Sequence, residues 1–181
     1  MTKIILLTSL TILNTFFSKG QDWHKQNILN LATVEFPNKP DYIDTLGVKA
    51  YRYVTDSAIY LIEIFDLGKY NGLNLKQDSL EVFYNSVISG IIERSSGNLI
   101  RKGSFEISGL KGVELEMAYT ANPSLPNLHF YKIIFNNLTL VVYTFWTYSE
   151  KRGQTETDRY KFFNSISPNL KESGIKQYTI D

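Results

Sequence analysis

The chain of 181 residues contains no cysteine. That excludes a disulfide framework, a thiolate nucleophile, a zinc–thiolate site and an iron–sulfur cluster. Histidine is nearly as scarce, with only His24 and His129. Three-histidine metal centres and extended histidine relays are therefore excluded as well. Neither sign of charge dominates, with Lys+Arg 19 against Asp+Glu 18. This composition argues against a strongly basic nucleic-acid binder and against an acidic disordered tail. There is no internal repeat and no low-complexity tract.

The familiar catalytic and phosphate motifs are missing too. No G-x-S-x-G elbow exists, and Ser89-Gly90 and Ser108-Gly109 read as helix and turn residues. Gly109-Leu110-Lys111-Gly112 combines glycines with a lysine but lies between strands and opens no helix. It therefore matches neither a P-loop nor a dinucleotide fingerprint.

What the chain does have is aromatic mass: 14% aromatic residues, with Tyr 12, Phe 11 and Trp 2, inside a 43% hydrophobic composition. Such a chain can bury a sizeable core. Its first twenty residues read as an address. Lys3 is followed by the uncharged apolar stretch Ile4 to Phe17, and then by Ser18-Lys19-Gly20. A positive start, an apolar middle and small residues before a cut between Gly20 and Gln21 predict a secretory signal peptide. The stretch is too short and too polar to span a bilayer, which takes about 20 apolar residues. Removing residues 1–20 takes away Lys3 and Lys19 and leaves 17 basic against 18 acidic residues. The expected product, residues 21–181, is one nearly neutral domain with a short polar C-terminal tail. Its expected location is the periplasm or the exterior, with no membrane span. Leu138 to Phe145 is the longest apolar run beyond residue 20, and it has strand length.

Periodicity predicts the elements. Val34-Glu35-Phe36 is extended and stops at Pro37. Residues 44–67 form a β-prone region with a turn at Thr55-Asp56-Ser57, read as a hairpin. Residues 67–77 are a Gly/Asn-rich loop. Asp78 with Glu81 resembles a capping box, and Leu80, Phe83, Tyr84, Val87, Ile88, Ile91 and Ile92 fall on one helix face. Gly97 is the expected stop. Gly90 on that stripe costs about 1 kcal/mol relative to Ala unless it permits close packing. Four strands follow, near Ile100–Ile107, Val113–Thr120, Leu128–Asn136 and Leu138–Tyr148. Asn136-Asn137 forms the last turn, and a second helix runs over Thr155–Ser167. The fold class is therefore α+β: a mostly antiparallel sheet of about six to seven strands, with two main helices packed against one face.

This order resembles the PsbP-like fold family, shared with Ran-binding nuclear import factors and small bacterial lipoproteins and periplasmic proteins. The residues that carry the resemblance are Val34-Glu35-Phe36-Pro37, the turn Ile107 to Glu114, and Phe162-Phe163-Asn164-Ser165-Ile166. The resemblance implies a binding or accessory scaffold and transfers no functional residue.

Several residues are candidate sites. His24 and His129 each stand alone in sequence, and a lone histidine is usually structural. Glu114 and Glu116 share one strand face, as a paired-carboxylate acid/base site would, but so does a solvated strand. Lys49, Tyr51 and Tyr53 share a face that would suit stacking of sugars or bases. Some of the tyrosines and tryptophans of the 128–148 region would suit a half-exposed pocket. Thr45, Ser57 and Ser79 each follow an aspartate, resembling an O-glycosylation acceptor pattern. Asn137-Leu138-Thr139 is an N-glycosylation triplet relevant only in a eukaryotic secretory route. The expectation is an exported non-catalytic binding or accessory domain, with no catalytic residue, cofactor or metal. Its ligand is an unspecified protein or small molecule and not a nucleic acid. The alternatives are a secreted hydrolase using carboxylates and a structural component of envelope assembly.

Overall fold

The computed structural model describes residues 22–45, 47–69, 79–120, 125–136 and 138–169. The predicted signal segment with its Gly20–Gln21 cut, Asp78, Pro123, Asn137 and the C-terminal tail lie outside these residues.

Ten strands and two helices are described. They are β1 (His24–Ile28), β2 (Ala32–Phe36), β3 (Asp41–Thr45), β4 (Val48–Val54), β5 (Ala58–Asp66), α1 (Leu80–Ser95), β6 (Asn98–Ile107), β7 (Leu110–Ala118), β8 (Leu128–Asn136), β9 (Thr139–Thr147), α2 (Arg152–Asn164) and β10 (Ser167–Pro168). The main sheet is antiparallel and seven-stranded, in the order β3-β4-β5-β9-β8-β7-β6, and a small sheet runs β1-β2-β10.

The α+β class and the seven-stranded antiparallel sheet match the sequence reading. The placement of the helices does not. β8 and β9 are buried on almost every residue, Leu128–Ile134 and Leu140–Phe145 in particular, so neither of their faces can meet water. Each face therefore needs its own cover. One face packs Tyr60, Ile62, Tyr143 and Phe145 against Val34 and Phe36 of β2 and Phe162 and Phe163 of α2. The other packs Val113, Leu115, Met117, Ile133 and Val142 against Tyr84 and Ile88 of α1. The two helices lie on opposite faces.

Tyr60 is the hub of the first core. Its ring meets Phe145 at 5.0 Å and Phe162 at 5.4 Å, both edge-on, and Trp23 at 5.9 Å. Edge-to-face rings of this kind add to the stabilisation from burial alone. Its hydroxyl donates to Asp158 at 3.2 Å.

Local boundaries differ from expectation for identifiable reasons. The expected single hairpin over 44–67 is a three-stranded meander, because Gly47, at φ +82°, allows a tight turn between β3 and β4. α1 starts at Leu80 after Ser79, which makes no side-chain capping bond. Its left-handed terminal residue is Ser96 rather than Gly97. Gly97 serves a close approach instead, since a Cβ there would lie 2.6 Å from the Tyr119 ring. The last hairpin carries its left-handed backbone at Leu138, φ +62°, an uncommon conformation for that residue. α2 runs from Arg152 and ends before Ser165. The Ser165 hydroxyl accepts from Glu35 N–H at 2.8 Å, and Ser167–Pro168 then pairs with β2. The chain is thus pulled off the helix axis three residues before the expected end.

Candidate functional site

α1 lies across β7, β8 and β9 and leaves the β5 side of the sheet uncovered. The result is a cleft of about 540 Å³. Its wall is Val87, Gly90, Ile91 and Arg94, and its floor is Glu63, Phe65, Leu140, Val142, Tyr131 and Trp146. Gly90 leaves this wall open, because a Cβ there would meet nothing within 4 Å. Glu63 and Trp146 also border a second hollow of about 350 Å³ on the bare sheet face of Ala50, Arg52, Ile59 and Leu61. The two hollows form one apolar groove with Glu63 and Trp146 at the join.

Polar groups without partners among the described residues lie on that floor and just beneath it. Glu63 stands opposite Val142, one residue pair from Thr144 and two from Trp146, all on the same sheet face. Among the described residues the Glu63 carboxyl has no hydrogen bond and no cation within 4 Å. Burial alone pushes its pKa up. The hydroxyl of Thr144 and the indole N–H of Trp146 are buried, also without partners. Buried polar atoms are nearly always paired, so each such exception calls for an explanation.

Behind Trp146 the polar groups are satisfied. The His129 ring stacks on the indole at 4.5 Å and 11°. Its Nε2 lies 2.9 Å from the Pro126 carbonyl, which can only accept, so Nε2 carries the proton. Nδ1 then accepts from the Tyr131 hydroxyl at 3.2 Å, and Tyr119 donates to Tyr131 at 2.7 Å. Burial lowers the His129 pKa to about 4, with the bond to Pro126 opposing that shift, so the ring is neutral near pH 7. Both ring nitrogens are occupied and do not open onto the groove.

The carboxylate pair lies elsewhere. Glu114 and Glu116 do share a face, but it is the face toward α2, away from His129. Rather than being solvated, Glu116 is 5% exposed. Arg152 of α2 reaches it at 2.8 Å, and Arg101 of β6 reaches Glu114 at 3.3 Å. Arginines thus occupy these carboxylates. Tyr51 is buried and Tyr53 packs toward Tyr60, so with the exposed Lys49 they form no open stacking platform. His24 is half-buried in β1, with Nε2 3.3 Å from the Gln26 amide oxygen. Thr45 is exposed at the end of β3, while Ser57 and Ser79 are half-buried. A further hollow of about 590 Å³ lies on the other side of α1. Its prominent polar groups are paired: Lys102 donates to Asn85 at 2.6 Å, and Tyr84 to the Lys111 carbonyl at 2.7 Å.

Glu63 escaped the sequence reading. The available signal was a lone carboxylate on the same strand face as Ile59, Leu61 and Phe65. Trp146 was among the aromatics suited to a pocket, but its pairing with Glu63 depends on β5 lying beside β9.

No family model matches the chain, and no curated relative matches it. Solved structures do. Cyanobacterial PsbP from Synechocystis sp. PCC 6803 superposes with a TM-score of 0.61 at 13% identity, over 86% of this chain and 98% of that one. The fold is PsbP-like. A Pseudomonas aeruginosa protein of unknown function, PA94, shares this PsbP-like architecture with a TM-score of 0.51 at 12% identity, over 81% and 96% of the two chains. The Saccharomyces cerevisiae Ran-binding protein Mog1p follows with a TM-score of 0.44 at 7% identity, over 82% and 96%. At these identities the likeness concerns the PsbP-like fold and not its ligands.

Proposed function

We propose that this chain is an exported, non-catalytic binding domain that holds a small amphipathic ligand in the groove between α1 and β5. One observation carries the reading: Glu63 and Trp146 line a largely apolar cleft, and among the described residues neither the Glu63 carboxyl nor the indole N–H has a hydrogen-bond partner. Ligand sites combine these features, apolar walls with a few placed polar groups in roughly 300–1,000 Å³. The PsbP-like fold supplies a scaffold of this kind, and the pattern of residues 1–20 supports export to a periplasm or the exterior.

The test uses the full chain carrying Trp23→Phe, which leaves Trp146 as the only tryptophan. A panel of small amphipaths is titrated while Trp146 emission is followed. At least one compound is expected to shift the emission saturably, and Gly90→Leu, which fills the open wall, is expected to abolish the shift. A folded protein whose emission responds to no compound would sink the proposal. So would a response that Gly90→Leu leaves intact.

A further inference from the structure

We propose that the ligand of this groove is an organic cation, a primary ammonium on an apolar tail, with its charged head between Glu63 and the Trp146 ring. The inference rests on the binding role proposed above and adds the chemical class of the occupant.

Even a half-buried carboxylate is costly to ionise unless a counter-charge or hydrogen-bond donors accompany it. Glu63 has neither among the described residues. Arg94 of α1 and Arg52 of β4 border the groove, but both are exposed, and neither comes within ion-pair distance of the carboxyl. Tyr131 of β8 is the titratable neighbour on the floor, and burial together with Tyr119 holds it in the protonated form. His129 is turned to Pro126 and Tyr131 and is neutral. Among the described residues no counter-ion is built in at this point, so the occupant can supply one.

The other half of the argument is aromatic. Trp146 borders both hollows beside Glu63, and indole is the best of the side-chain rings at attracting a cation. A cation there gains from a carboxylate and a ring at once. The buried Thr144 hydroxyl beneath them has a lone pair without a donor. Leu61, Phe65, Val87, Ile91 and Leu140 suit an aliphatic or aryl tail. An anionic head would instead meet Glu63, and among the described residues its cations would be the rim arginines, whose pull is screened by solvent and salt.

The experiment compares hexylammonium, hexanol and hexanoate, three heads on one tail, against the full chain with Trp23→Phe. It is run at about pH 8, where the amine is charged and carboxylates are ionised. Hexylammonium is expected to bind at least about tenfold more tightly than hexanol. Glu63→Gln, which removes charge without creating a cavity, is expected to bring the ammonium down to the alcohol's affinity. Tighter binding of hexanoate overturns the inference, as does an ammonium affinity that Glu63→Gln leaves unchanged. Equal binding of ammonium and alcohol, blocked by Gly90→Leu, removes the cation and leaves the amphipath site standing. If none of the three binds, the cation inference fails, and the full panel above decides the fate of the site itself.

Discussion

On the side of the sheet that carries Tyr60, Tyr143 and Phe145, the cover is a second sheet plus a helix. Between them, Phe36 and Phe162 close the core so fully that both are 0% exposed. On the side that carries Glu63, Thr144 and Trp146, the cover is one helix, and it stops short of β5. Polar groups are treated differently on the two sides. Toward α2, Glu116 meets two arginines and the Tyr60 hydroxyl meets Asp158. Toward α1, the buried Thr144 hydroxyl and Trp146 indole N–H have no partner among the described residues. The sealed side is organised for stability. The open side retains buried polar atoms without partners among the described residues, and the proposed binding role rests on that contrast.

The comparison can be broken most directly in the cores. Phe162→Ala is expected to cost about 3–5 kcal/mol, and Ile91→Ala at the cleft wall about 1 kcal/mol, measured as urea midpoints. Equal losses would show that both sides are equally packed.

The second test is acid. Burial holds His129 at about 4, below the ordinary value of 6.5. The unfolded chain therefore takes up a proton first as pH falls. The stabilisation is complete above the unfolded value and is lost as pH drops through about 4. Its full extent is on the order of 3 kcal/mol. The difference between wild type and His129→Gln should shrink across that window. Parallel curves would show that His129 is not held neutral by burial.

Next comes the ion network. Glu116→Gln removes the carboxylate that Arg152 reaches and weakens the network that Arg101 shares with Glu114. Because those arginines are half-exposed, a loss of about 1–2 kcal/mol is expected, attenuated by high salt. A salt-insensitive loss would point to packing instead.

The smallest effect has the opposite sign. The raised pKa of Glu63 means that its contribution to stability is intact below its ordinary 4.5 and is lost as pH rises through the raised value. Glu63→Gln should therefore raise the urea midpoint near neutral pH and change nothing below about pH 4.5. A destabilised variant at neutral pH would mean that the carboxylate has a partner after all.

Much of the architecture was legible because it rests on local periodicity. β8 was placed at Leu128–Asn136 without error, and β9 within a residue at each end. The doubly apolar run Leu138 to Phe145 already required cover on both faces, yet the helices were expected on one. β1 was missed because Lys25 and Asn27 face solvent, so half of a short strand looks like loop. β10 is two residues long and exists only through its bonds to β2. The candidate site was the least legible part. Glu63 became notable only when β5 met β9 and α1 stopped short of it, and no spacing along the chain encodes that. Glu114 and Glu116 were placed on one face correctly, but their partners come from β6 and from α2, well separated in sequence.

The β5–β9 pairing also sets an order in time. Synthesis delivers the β3-β4-β5 meander first, with β5 as a bare edge. Its proper neighbour is made only after α1 and three more strands. The tight turn at Ser108-Gly109 and the one at Leu138 let β6–β7 and β8–β9 form quickly as hairpins. Joining the two blocks is the slow, non-local step. Until it occurs, the apolar edge of β5 is open to the wrong strand, and the nascent chain is most vulnerable to misassembly during that interval.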